Sequence, residues 1–333
     1  MKIVVDAFGG DFAPLEIVSG AVKALQENEK LNVVLVGDKD KITEILQSLV
    51  FLSDRLEIVH APDVVTMDDV PTVAIRTKKT SSIVVAYDYL KQNDDATALV
   101  SAGSTGATLT GAVLKLGRIK NISRPALAPI MPTLNDKSVM LLDCGANADC
   151  KAENLLHFGI MGSEYMKAMG VKKPRVALLN IGTEEEKGSE MIKEAHQLLK
   201  NSHLNFVGNI EARDVLRGNV DVVVSDGFSG NICLKTIEGT AEILFGELKD
   251  ITHSSFKAKM GALLLKKKLY GLKKKYDYKK VGGAPLLGVN KIVIKCHGNS
   301  KADSVACAIQ QAWKLSNNKL VEKVANAVEK NEE

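Results

Sequence analysis

The sequence predicts an α/β protein with a largely parallel sheet and helices on both of its faces, and three observations carry that prediction. Short runs of Val, Ile and Leu alternate with longer amphipathic stretches through most of the 333 residues. Several of those short runs show no polar alternation, as strands buried on both faces require. Finally, six of them are followed by a loop rich in Gly, Ser, Asp and Asn, the composition of a strand-to-helix turn.

Taken in chain order, the predicted strands are residues 3–5, 33–36, 56–59, 98–100, 139–142, 176–179, 220–224 and 292–294. Between them, stretches such as 15–26, 105–116, 153–169 and 191–199 have helical length and apolar period. No Pro/Gly/Ser-rich linker and no short repeat divides the chain, so residues 1–333 read as one domain. The composition, 45% hydrophobic and 25% charged, is that of an ordinary globular protein. No run of about 18 apolar residues is present, so no segment is expected to cross a bilayer. The opening MKIVVDAFGGD enters a strand and a turn at once, unlike a signal peptide. Five irregularly spaced cysteines suit a reducing cytoplasm better than a disulfide framework. Cys144 and Cys150 have no histidine pair nearby, so no metal and no cofactor is expected.

The six loops are DAFGGD, SAGSTGA, DCGANAD, NIGTEEEKG, SDGFSGN and KCHGNS. In an open parallel sheet they would share one edge, beyond the carboxyl ends of the strands, where ligands bind. Glycines such as Gly9 and Gly10 let backbone approach a ligand closely. Ser101, Ser104 and Thr105, set among Gly103 and Gly106 at a predicted helix start, suit an anion, most simply phosphate. Asp226, Ser229 and Asn231 repeat that chemistry, with Lys235 one turn later. Neither loop has the Walker spacing, and no G-x-G-x-x-G follows the first strand, which disfavours a P-loop kinase and a standard dinucleotide enzyme. No G-x-S-x-G nucleophile elbow is present either.

DAFGGDFAP, SAGSTGA, RPALAPIMPT, DCGANAD, NIGTEEEKGSE, SDGFSGNICLKTIEG, GGAPLLGVN and IKCHGNS, in this order, resemble the successive motifs of the bacterial phosphate acyltransferases of phospholipid synthesis. The resemblance runs from residue 2 to about residue 310. Four positions depart from the family pattern: Phe8 for Met, Ser104 for Asn, and Ser225 and Ser229 in a motif often written CDGFTGN. The resemblance implies a three-layer α/β/α sandwich related to isocitrate and isopropylmalate dehydrogenases, and a homodimer. It also implies transfer of a fatty acyl group from acyl carrier protein to inorganic phosphate, with the acyl phosphate passing to a membrane glycerol-3-phosphate acyltransferase.

That chemistry needs no triad. Phosphate is partly a dianion near neutral pH, and a thiolate with a pKa of about 8.5 or a little higher leaves readily. What remains is to hold two anions together and to stabilise an oxyanion. Lys187 is expected to neutralise phosphate charge, His297 to donate to the thioester oxygen or the leaving sulfur, and Asn147 and Asn180 to orient substrate. Asp6, Asp11, Asp143 and Asp226 are expected to brace the loops, since a bare carboxylate repels phosphate.

The net charge is +4, but residues 249–280 hold eleven Lys against Asp250 and Asp277, a local +9 that leaves the remainder at −5. Phe256, Met260, Leu263 and Leu264 form one helical stripe, and Leu265, Leu269, Leu272 and Tyr276 another pointing elsewhere. Two helices with a break near residues 264–266 are therefore expected, forming a hairpin with an apolar tip. The tip would carry Leu263, Leu264, Leu265 and Leu269 with Lys266, Lys267 and Lys268. Leu flanked by Lys suits an anionic membrane surface, giving peripheral association, and lysines would also attract the acidic carrier protein. The family has a helical projection here that contributes to the dimer. A phosphotransacetylase-like enzyme using acyl-CoA is the alternative reading. A nicotinamide-dependent decarboxylating dehydrogenase would need an aspartate metal cluster and an arginine-rich pocket. Nucleic-acid binding would explain the lysines but not the six loops.

Overall fold

The computed structural model describes residues 1–276 and 282–332. Among these, the strands form two sheets. The first runs β3 (Leu56–His60), β2 (Asn32–Gly37), β1 (Lys2–Asp6), β4 (Ala96–Ser101), β12 (Ile292–Lys295), β11 (Ala284–Leu287) and β5 (Ala126–Leu127). The second runs β6 (Ile130–Pro132), β7 (Ser138–Leu142), β10 (Val222–Val224), β8 (Arg175–Leu179) and β9 (Asn205–Ile210). Pairing is parallel except where β11 meets β12 and β5, and where β6 meets β7.

Alternating side chains explain why helices cover both faces. In β1, Ile3 and Val5 join the core that contains α1 (Leu15–Glu27) and α10 (Ala302–Asn317), whereas Val4 points into the core of α4 (Ser82–Gln92). In β7, Met140 and Leu142 pack with α6 (Ala152–Ala168), and Leu141 packs with Val215 and with Cys233 of α8 (Gly227–His253). One continuous apolar cluster holds Ile3 and Val5 of the first sheet together with Met140, Leu142 and Val222 of the second. Helix α6 is buried almost all round and lies against the second sheet through Gly162, where a Cβ would stand 2.6 Å from Val222 Cγ1.

All eight predicted strands form, and the α/β class holds. The single shared edge does not. Strands β1, β4 and β12 carry three of the loops on the first sheet, and β7, β8 and β10 carry the other three on the second. An apolar run reports burial, and says nothing about which strand it will pair with. Strand β11 escaped prediction because GGAPLLG reads as a turn, and β9 because NFVGNI is interrupted by Gly208 at φ +93°. The predicted helix 105–116 divides into α5 (Thr105–Gly111) and a π-helical turn, Ala112–Leu116.

The expected break near residues 264–266 is also corrected. Helix α9 runs unbroken from Phe256 to Lys275, and the chain turns at Ser254 and Ser255 instead. Ala, Leu and Lys favour the helix throughout that stretch, whereas Ser255 accepts from Ala258 N at 3.1 Å and caps the new helix. The two stripes need no break because Leu263, Leu264 and Leu265 are all exposed on this chain. Lys275 Nζ donates to Leu134 O at 2.8 Å and ties the end of α9 to the β6–β7 turn. Lys279 and Lys280 of the basic segment lie outside the described residues.

Candidate active site

The three loops of the first sheet lock together through side chains and backbone. Ser101 Oγ donates to Asp6 Oδ2 at 2.7 Å and accepts from Gly103 N at 3.1 Å. Gly9 is obligatory, since a Cβ there would lie 2.6 Å from Gly103 N. Asp11 N donates to Gly298 O at 2.8 Å, which joins the loop after β1 to the loop after β12. Burial raises the Asp6 pKa, against the pull of its hydrogen-bond donors and of the charge on Lys295.

The second sheet repeats the construction around Asp143. Its carboxylate has no exposed surface and accepts from Leu127 N (2.9 Å), Ala146 N (3.2 Å), Asn147 N (2.7 Å) and Asn147 Nδ2 (2.9 Å). Burial again raises the pKa, with these donors opposing it. Asp226 caps α8 by accepting from Ser229 N at 2.8 Å, and Gly227 N donates to Asn147 O. Asn180 accepts from Ile181 N at 2.8 Å and donates to Lys187 O at 3.0 Å, closing the loop after β8 on itself.

Both sets of loops border one cleft of about 1320 Å³, more than the roughly 300–1,000 Å³ of most small-molecule pockets. From the first sheet come Thr105 and residues 295–298; from the second come Gly145, Asn180, Gly188, Asp226, Ser229 and Asn231. Beyond this polar end the wall turns apolar, with Ile130, Met131, Leu216, Leu244, Phe245 and Leu248, and α9 adds Leu272 and Tyr276. At the junction, Lys235 Nζ bonds Glu238 Oε2 at 2.7 Å, and His297 Nε2 stands 3.8 Å from Glu238 Oε1. Burial pushes the Glu238 pKa up, but His297 and Lys235 outweigh it and hold the carboxyl below its ordinary value.

Of the residues picked from sequence, the structure therefore brings Thr105, Asn180, Asp226, Ser229, Asn231, Lys235 and His297 to the cleft. Ser101 is buried and spent on Asp6 and Gly103, and Ser104 caps α5 through Ala107 N. Gly9, Gly10, Gly103 and Gly106 let loops or helices meet: Gly10 at φ +108° sits against Ala102, and Gly106 against Pro71. Asn147 is buried and donates to Pro125 O and Asp143, bracing the loop instead of reaching the cleft. Lys187 is exposed and its side chain does not line the cleft, although its carbonyl is held by Asn180. Sequence reasoning passed over two cleft residues, Glu238 and Lys295. Lys295 is 8% exposed, and its Nζ donates to Cys296 O. The only signal for it was its place at the head of KCHGNS. Among the described residues no cluster of His, Cys, Asp and Glu could hold a metal ion, and no helix is long and apolar enough to cross a membrane.

The fold is shared by enzymes of acyl transfer and of oxidation. A phosphotransacetylase from Streptococcus pyogenes superposes with a TM-score of 0.63 at 20% identity, over 95% of this chain and 94% of that one. A structure described as a putative 4-hydroxythreonine-4-phosphate dehydrogenase from Salmonella typhimurium gives 0.54 at 15% identity, over 94% and 99%. At such identities the likeness concerns the fold alone. Sequence is more specific: the phosphate acyltransferase of Clostridium novyi (strain NT) is 48% identical over 330 residues, 99% of each chain. The family model described as fatty acid synthesis protein matches residues 1–323. With that match spanning both sheets and all six loops, the chain belongs to the fatty acid synthesis protein family, the family of the phosphate acyltransferases.

Proposed function

We propose that this enzyme moves a fatty acyl group from the thioester of acyl carrier protein to inorganic phosphate, releasing an acyl phosphate and the carrier thiol. One observation carries the reading: a single cleft joins a long apolar wall, suited to an acyl chain, to a polar end suited to an anion. An oxygen of HPO₄²⁻ attacks the carbonyl carbon. The C–O bond forms, the C–S bond breaks, and the proton carried by phosphate ends on sulfur.

The positions of Thr105, Ser229, Asn231 and Lys235 on the cleft support a role in holding phosphate or the thioester, and that of Asn180 a role in orienting them. His297, held near Glu238, donates to the thioester oxygen or carries the proton to sulfur. Lys187, exposed beside Asn180, meets the anionic substrate at the surface. Direct attack is favoured over an acyl-cysteine intermediate by the state of the cysteines that border the cleft. Burial raises the pKa values of Cys144, Cys233 and Cys296, that of Cys296 to about 12, so none is a thiolate nucleophile at neutral pH.

Exposed Leu263, Leu264 and Leu265 beside Lys266, Lys267 and Lys268 support contact with an anionic membrane, with acyl phosphate passing there to a glycerol-3-phosphate acyltransferase. The same lysines suit the acidic carrier protein. Exposed Ile243 and Ile251 on α8 support burial against a second copy in a homodimer, and the protein works in the cytoplasm.

Incubation with acyl carrier thioester and phosphate, followed by hydroxylamine, is expected to give a hydroxamate that requires phosphate. Equal product without phosphate rejects the reading. The likeness to phosphotransacetylases favours a second donor, acyl-CoA, and the ratio of kcat/KM for the two donors decides between them.

A further inference from the structure

We propose that Lys295 is the cation that seats the attacking phosphate, an assignment that rests on the acyl-to-phosphate reading and names the group that serves it. Lys295 closes β12 and pairs in register with Ser101 of β4, so its backbone lies at the edge where the first sheet opens on the cleft. The side chain is 8% exposed and borders the cleft. Among the described residues, its ammonium has a single hydrogen-bond acceptor, the carbonyl of Cys296. An ammonium has three donors, so two are left for a ligand.

Charge strengthens the case. Three Lys and Arg side chains border the cleft among the described residues. Lys235 is neutralised by Glu238 at 2.7 Å and Arg213 by Glu211 at 2.7 Å. Among the described residues, Lys295 has no carboxylate at ion-pair distance; Asp6 and Asp11 attract it only from farther away. The Asp6 carboxylate is itself held by Ser101 Oγ and Phe8 N. Burying a cation without a contact counter-ion is costly, and burial indeed lowers the Lys295 pKa. A phosphate dianion supplies the missing charge and accepts the two spare donors in charge-assisted bonds. Lys187, exposed to water, offers no comparable gain, because a solvated ammonium exchanges one set of hydrogen bonds for another.

The test is a steady-state comparison of wild type, Lys295→Met and Lys295→Arg with both substrates varied, alongside thermal unfolding of each. Lys295→Met is expected to raise the KM for phosphate roughly 10- to 100-fold while the KM for the acyl donor stays within about twofold. Lys295→Arg, which keeps the charge, is expected to recover part of the loss. An unmoved phosphate KM, or an equal rise for the acyl donor, overturns the assignment while leaving the acyl-transfer reading intact. Absence of phosphate-dependent product from wild type removes both. If the Met variant does not fold, the ¹⁵Nζ resonance of Lys295 in the wild type is followed during titration with inorganic phosphate. A saturable shift supports the assignment, and a resonance that stays put overturns it.

Discussion

Asp143 has no exposed surface, and its carboxylate gathers four donors from two segments of chain. Asp143→Ala strands those donors, and a loss of about 3 kcal/mol or more is expected in urea unfolding. The pH dependence has a definite sign. Burial raises the folded pKa above the unfolded value of 3.8, so this group's contribution is full below 3.8 and lost as pH rises through the raised value. The stability of wild type relative to Asp143→Asn should therefore improve as pH falls toward 3.8, and a gap that does not change with pH contradicts this. Residue identity alone separates ligands from braces poorly. Ser101 and Thr105 look alike in SAGSTGA, yet the hydroxyl of Ser101 is buried on Asp6 whereas Thr105 borders the cleft. Lys295 shows the converse: a lysine ending a strand reads as solvated, and only packing buries it.

At the level of elements, local chemistry was the better guide. Ser189, Asp226 and Ser255 each cap the helix that follows, as their residue types suggest. Replacing Ser255 by Ala should cost the start of α9 about 1 kcal/mol. Faster amide exchange over residues 256–260 with little change in the global unfolding midpoint is the expected result, and unchanged exchange counts against the cap. The misplaced hairpin turn has the same lesson in reverse. A change in stripe direction suggests a change in chain direction, but stripes constrain a helix only where they are buried, and Leu264 is 84% exposed. Leu272 of the same helix and Tyr276 just past its end do border the cleft, so one end of the second stripe meets it.

On the scale of the whole molecule, loops of both sheets border one cleft. The first sheet supplies Lys295 and His297 to the polar end of the cleft, the second supplies Asn180, and the start of α8 adds Ser229 and Asn231. Helix α8 then continues from that end along the apolar wall through Leu244, Phe245 and Leu248. On the proposed reading each acyl methylene buried there would contribute about 0.8 kcal/mol, so chain preference is expected to follow the length of the wall. Leu248→Trp is expected to shift the kcat/KM profile toward acyl chains shorter by a few carbons, with little effect on the shortest donors. A uniform loss at every length contradicts a role in measuring the chain.

The sequence by itself determined the α/β class, eight strands and the family, because strand burial and glycine loops are recorded in neighbouring residues. Tertiary structure alone decided that the strands divide between two sheets and which polar groups border the cleft. Those outcomes depend on partners far apart in the chain: Asp6 takes the hydroxyl of Ser101, 95 residues away, and leaves Lys295 to the cleft. Pairing at such distances is settled by which buried polar groups satisfy one another, and no local pattern contains that information.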